Sequence, residues 1–136
     1  MRLWHTDLIP YLPKNQLLGQ WRELNSIYKL ENKHILINFV YDYSKKHLYS
    51  YSNRIIDEMR KRNYKLNLNN FNRYFSKKND KLILDKTDIF PDKMNTRYLR
   101  QCLYNLQEKF DCGGITKEEW KRIYDEFGYL FDTDTG

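Results

Sequence analysis

The stretch Lys14-Asn15-Gln16-Leu17-Leu18-Gly19-Gln20-Trp21-Arg22-Glu23-Leu24-Asn25-Ser26-Ile27-Tyr28 decides the fold. Leu17, Trp21, Leu24 and Tyr28 recur at helical spacing and make one apolar stripe, so a helix is predicted here, with Pro13 suited to its first turn. At about 100° per residue, Gln16, Gln20 and Glu23 gather within about 60° of one another on a second face, bordered by the small residues Gly19 and Ser26. A polar, uncrowded face on a helix anchored elsewhere suits a carboxylate that must be held still. On these residues alone, an ordinary solvated helix glutamate is the better reading of Glu23.

Downstream, Leu48, Tyr51, Ile55, Met59 and Arg62 recur every three or four positions between Ser44 and Asn63, with Lys45, Lys46, Arg54, Arg60 and Lys61 on other faces. A second amphipathic helix, basic outside, is expected. Tyr98, Leu99, Cys102, Leu103, Leu106 and Phe110 make a third helix over 95–110, stopped by Gly113-Gly114. Thr116 and Glu119 form a capping box for a last, short helix carrying Trp120, Ile123, Tyr124 and Phe127, after which 132–136 should fray. The β-branched and aromatic run 35–43 suggests extended structure, though no partner strand is evident. Residues 65–90, rich in Asn, Lys and Asp, read as a long, mobile connection with one or two helical turns near Phe71, Tyr74 and Phe75. The expected fold is mainly α, a single-domain bundle over 1–136 of three long helices, a short C-terminal helix and a long basic connection. Its core should gather Trp21, Leu24, Ile55, Met59, Leu99, Leu103 and Leu106.

The 136-residue chain is 40% hydrophobic, enough for one modest core. It has no apolar run of the ~20 residues that span a bilayer and no apolar signal core after Met1-Arg2-Leu3-Trp4-His5, so a soluble, cytoplasmic protein is expected. Cys102 and Cys112 make no disulfide framework or zinc pattern and should be reduced thiols. The net charge of +6 is unevenly spread: residues 44–86 carry 12 Lys/Arg against 4 Asp/Glu, whereas 1–43 carry 5 against 4 and 87–136 carry 7 against 10. Clustered cations favour a polyanionic partner, because neutralising phosphates releases counterions, although a merely soluble basic surface fits composition equally well.

The block Gln16-Leu17-Leu18-Gly19-Gln20-Trp21-Arg22-Glu23-Leu24, together with Met1-Arg2-Leu3, resembles the N-terminus of pyrimidine-dimer DNA glycosylases. The likeness continues more loosely through Lys33-His34, Ile56–Tyr64 and Asn95–Leu106, the last resembling the third helix of bacterial members, and nothing similar is read beyond Gly113. The resemblance implies a DNA repair glycosylase with abasic-site lyase activity, in which the chain's own amino terminus is the nucleophile. A free α-amine titrates near ~7.7–8.0 against ~10.4 for lysine, so a useful fraction is unprotonated near neutrality. Met1 would supply that amine, because the bulk of Arg2 should keep the initiator methionine in place.

Glu23 matches the family's glutamate, which assists base departure and later proton transfers. Arg2 and Arg22 match arginines of the family, Arg22 one used against DNA phosphates, with a solvated cation as its plain alternative. Where a histidine and an arginine are typical, this chain has Gln16 and Ser26, so imine chemistry at abasic sites is a nearer inference than recognition of photodimers. His34 is placed against DNA or the lesion, although for His5, His34 and His47 a hydrogen-bonded or solvated role is the commoner one. Lys45 and Lys46, interleaved with Tyr41, Tyr43, Tyr49 and Tyr51, would contact phosphates beside stacked bases, with core packing the default for any one tyrosine. The expected partner is double-stranded DNA, damaged or abasic, bound by a monomer, and the route needs neither metal nor organic cofactor. A non-catalytic DNA-binding protein on the same scaffold is the alternative; a basic protein engaging RNA or an acidic protein comes third.

Overall fold

Stripes of apolar residues at helical spacing become helices where the periodicity places them. The computed structural model describes residues 2–132, which form α1 (Lys14–Leu30), α2 (Lys45–Lys61), a short α3 (Asn69–Tyr74), α4 (Thr96–Asp111), α5 (Lys117–Phe127) and a terminal turn α6 (Tyr129–Asp132). Among the described residues there is no strand, and no helix is long and apolar enough to cross a membrane. Residues 133–136, expected to fray, lie outside the described residues.

One hydrophobic cluster runs from Leu3 to Leu130 and includes Leu24, Ile55, Met59, Leu99, Leu103 and Leu106, with Trp21 half-buried at its edge. α1 packs on α2 and α3, and α5 on α4. Three boundaries have a clear local cause. Glu31 ends α1 in the left-handed conformation, φ 46°. Asn95 caps α4 by accepting from the Tyr98 N–H at 2.9 Å. The Thr116–Glu119 capping box forms as read, and Glu119 Oε2 also accepts the Lys14 N–H at 2.8 Å, joining the starts of α5 and α1. Burial pushes the Glu119 carboxyl up, but these bonds outweigh it and leave the group below its ordinary value.

Residues 35–43 are not extended. With no strand to pair with, their backbone closes local bonds instead, a turn in which Ile37 N–H donates to His34 O at 2.9 Å and then a 3-10 helix over Asn38–Asp42. The apolar run serves the core another way, burying Ile37 and Val40. The connection between α2 and α4 holds α3 and two single 3-10 turns, and it is tied down. Leu84 N–H donates to Ser50 Oγ at 2.8 Å and Phe90 N–H to His47 Nδ1 at 3.1 Å, while Phe71 and Phe75 are buried.

The amino-terminal segment is the least expected element. Leu3 and Trp4 are core residues, and Thr6–Tyr11 forms a 3-10 helix packed on α2 and α5. Arg62, at the end of α2, fixes that helix by donating to Leu12 O at 2.8 Å and Pro10 O at 3.2 Å, with Glu58 accepting from its Nε at 2.7 Å. The arginine that completes the apolar stripe of α2 is thus a clamp between two elements.

Candidate active site at the amino-terminal segment

Backbone polar groups at Arg2–Trp4 lie in the interior without a regular ladder, so side chains must satisfy them. Gln20 on α1 does most of this: its Oε1 accepts the Trp4 N–H at 2.8 Å and its Nε2 donates to Arg2 O at 3.2 Å. The Tyr51 hydroxyl, from α2, donates to Trp4 O at 2.6 Å and lies 2.9 Å from Gln20 Oε1. From α4 the Tyr98 hydroxyl donates to Leu3 O. Three helices therefore hold one short piece of chain, and burial pushes both tyrosine hydroxyls up, so they stay protonated donors.

This segment covers the polar face of α1 read from the sequence. Between them lies an open cavity of about 250 Å³, walled by Gln16, Gly19, Gln20 and Glu23 of α1, by Arg2 and Trp4, by Leu36, and by Asn105 and Lys109 of α4. Glu23 is only 4% exposed, which removes the solvated-glutamate reading. Its Oε1, out of solvent, makes no hydrogen bond to any described residue, and the same holds for Gln16 Oε1. A buried carboxylate oxygen left unpaired is costly, and such sites recur where function needs a free acceptor. The Glu23 charge is felt nearby: with burial first and the Glu31 and Glu23 carboxylates after it, the Tyr41 hydroxyl is pushed up to about 12.

Arg2 is half-buried at the cavity wall. Its guanidinium sits 6.0 Å from the centre of the Tyr98 ring, and its charge opposes the burial that pushes the Tyr98 hydroxyl and the Cys102 thiol up. Met1, read as the nucleophile, lies outside the described residues. Arg22 is exposed, and a Cβ built on Gly19 would stand 3.6 Å from its Nη2, which sets this guanidinium beside the cavity wall.

His34 is exposed on the loop after α1, where its Nδ1 accepts the Leu36 N–H at 3.2 Å. His5 and His47 likewise accept a backbone N–H at Nδ1, at 3.0 and 3.1 Å, and burial holds both below the ordinary histidine value. Lys45 turns to α3, its ammonium 4.0 Å from the centre of the Tyr74 ring. Neither it nor Lys46 reaches the cavity.

The cations that do line the cavity, Arg2 and Lys109, come from outside the basic middle third. Asn105 and Lys109 were not singled out from the sequence, although their spacing of four puts them on one helix face beside the core position Cys102. Among the described residues the arrangement presents a buried carboxylate oxygen without a hydrogen-bond partner, neutral amides and flanking cations beside the start of the chain. It is suited to an anionic substrate that develops positive charge at a reacting carbon.

No curated protein and no solved structure matches the chain. A family model, pyrimidine dimer DNA glycosylase, matches residues 1–72. That match takes in Arg2, Gln16, Gln20, Glu23 and Leu36 of the cavity, and leaves Asn105 and Lys109 beyond it. The family acts in DNA repair, on DNA. With more than half of its length matched and the cavity built largely from those residues, the chain belongs to the pyrimidine dimer DNA glycosylase family.

Proposed function

We propose that the protein is a DNA glycosylase with abasic-site lyase activity, that residues 1–136 work as one domain, and that the Met1 α-amine and Glu23 carry the chemistry. The observation that carries this reading is Glu23: a helix carboxylate, buried, with an oxygen that has no partner among the described residues, in the cavity whose wall includes the residue bonded to Met1. The amine lone pair forms a bond to C1′ of the damaged nucleotide while the glycosidic bond breaks and the base leaves with the electron pair and a proton. Loss of an amine proton and opening of the sugar ring give an imine. A proton is then taken from C2′, the C3′–O bond breaks with the phosphate as leaving group, and water hydrolyses the imine to return the amine. Glu23 stabilises the positive charge at C1′ and relays these protons.

Arg2 and Lys109, which line the cavity, are assigned to the backbone phosphates that flank the sugar, and Arg22, beside the wall, extends that cationic margin. Gln16 offers a neutral amide to the substrate. His34, Lys45 and Lys46 are left to contact the duplex outside the cavity, and binding of damaged or abasic double-stranded DNA should weaken steeply with salt.

Borohydride reduction in the presence of abasic duplex tests the reading. A covalent adduct is expected with a free amino terminus and is lost on selective N-terminal acetylation, which delocalises the lone pair into an amide. Equal trapping after acetylation rejects the α-amine. Tight, salt-sensitive binding without any adduct or cleavage favours the non-catalytic scaffold that Gln16 and Ser26 suggest, with Ser26 Oγ spent on Arg22 O at 3.2 Å.

A further inference from the structure

Glycine inside a helix weakens it, because its backbone has the most freedom to lose and it brings no side chain to pack. Three of the described glycines have a reason in the fold. Gly113 adopts φ 83°, a Cβ at Gly114 would press on Lys109 O at 3.3 Å, and one at Gly128 would meet Tyr124 O at 2.6 Å. Gly19 has no such reason. It lies inside α1, and among the described residues the nearest atom to a Cβ there, beyond its own helix backbone and adjoining residues, is Arg22 Nη2 at 3.6 Å, an ordinary contact. The fold would accept alanine at this position, and the helix would gain from it.

What Gly19 does have beside it is the cavity, whose wall it forms with Gln16, Gln20 and Glu23. At about 100° per residue, Arg22 and Glu23 stand about 60° and about 40° to either side of it around α1. A guanidinium and a carboxylate thus flank a bare patch of helix. We infer, on the glycosylase reading above, that Gly19 is a specificity-determining contact: the sugar–phosphate chain of the reacting strand lies directly against the backbone of α1 at this residue. Without a Cβ, atoms of the DNA come closer to the helix by one carbon–carbon bond, ~1.5 Å. The Arg22 guanidinium, already over the bare turn, meets a phosphate oxygen there, and the deoxyribose is brought up to Glu23. The helix surface itself sets the position of the strand, so a side chain at 19 holds the sugar off by a distance over which reaction rates fall steeply.

The test uses the full chain, as wild type, Gly19→Ala and Gly19→Leu, both good helix formers. Both variants should melt above wild type, Gly19→Ala by about 2–4 °C, which sets misfolding aside. On abasic duplex, Gly19→Ala should cleave about tenfold more slowly and Gly19→Leu about 100-fold. Equilibrium binding to a duplex carrying a tetrahydrofuran abasic analogue, which cannot form an imine, should weaken in the same order. Reductive labelling of the Met1 α-nitrogen by glycolaldehyde, which brings no DNA strand against the helix, should keep the wild-type rate. Wild-type cleavage and binding in Gly19→Leu, or labelling that falls as far as cleavage does, overturns the contact. Variants that melt below wild type overturn it too, since the fold would then call for the glycine. Binding of the tetrahydrofuran duplex that weakens from wild type to Gly19→Leu, in a protein that traps no adduct, leaves the contact standing and removes the amine chemistry.

Discussion

Glu23→Gln is expected to slow base release from dimer-containing duplex and strand cleavage at abasic sites by about 10²–10⁴-fold, the range that a positioned acid–base group contributes. The substitution keeps shape and removes only the charge and the ability to relay protons. Its effect on folding should run the other way. A buried carboxylate oxygen with no partner among the described residues is a burden to the folded state, and a neutral amide lightens it. The melting temperature of Glu23→Gln should therefore equal or exceed that of the wild type, a pattern found where residues are kept for activity at the expense of stability. Turnover assays beside a thermal melt check both halves. A variant that keeps full activity, or one that loses activity only in step with its fold, would take Glu23 out of the chemistry.

The second large effect concerns Gln20, which touches no reacting atom in this scheme. It satisfies the Trp4 N–H and Arg2 O and bonds the Tyr51 hydroxyl, so Gln20→Met strips partners from buried groups on two elements at once. At ~1–3 kcal/mol for each buried group left unpaired, a loss of about 3 kcal/mol in unfolding free energy is expected. Because the same bonds set where the chain's first residues lie, the rate of adduct formation should fall about 100-fold, as for misplacement of a reacting group by about 1 Å. Rates measured well below the melting transition separate this positioning role from simple instability. Full activity in a destabilised Gln20→Met protein would show that the terminus is placed by other contacts, such as Tyr98 to Leu3.

The long helices were legible because their stabilising contacts are periodic in sequence. The stripe of Leu17, Trp21, Leu24 and Tyr28 and the Thr116–Glu119 box announce their elements within a few residues. Glu23 was legible as a polar-face residue but not as a buried one, since Arg2, Trp4 and Leu36, which share its cavity, come from outside α1 and reach it only in the fold. Nothing on a helical wheel tells solvent from a returning segment of chain. The same holds for Lys45: its charge is plain in the sequence, but only the fold shows that its ammonium lies 4.0 Å from the centre of the Tyr74 ring. The run 35–43 misled through composition, because β-branched residues favour strands only when a partner strand exists. Within it Ile37 and Val40 enter the core, and Asn38 and Tyr41 brace the loop that precedes them. Asn105 and Lys109 escaped because a single polar pair on a helix is unremarkable until the fold brings it to the cavity that Glu23 also lines.

One amine, at residue 1, is proposed to form the bond to DNA. Peptide mapping by mass spectrometry of the borohydride-reduced adduct with abasic duplex addresses it directly, and can be read beside the intact mass of the amino terminus. The deoxyribose remnant is expected on the α-nitrogen of Met1, with Lys109 unmodified although it lines the same cavity. An adduct on Lys109 or any other lysine, with Met1 free and unmodified, would contradict it.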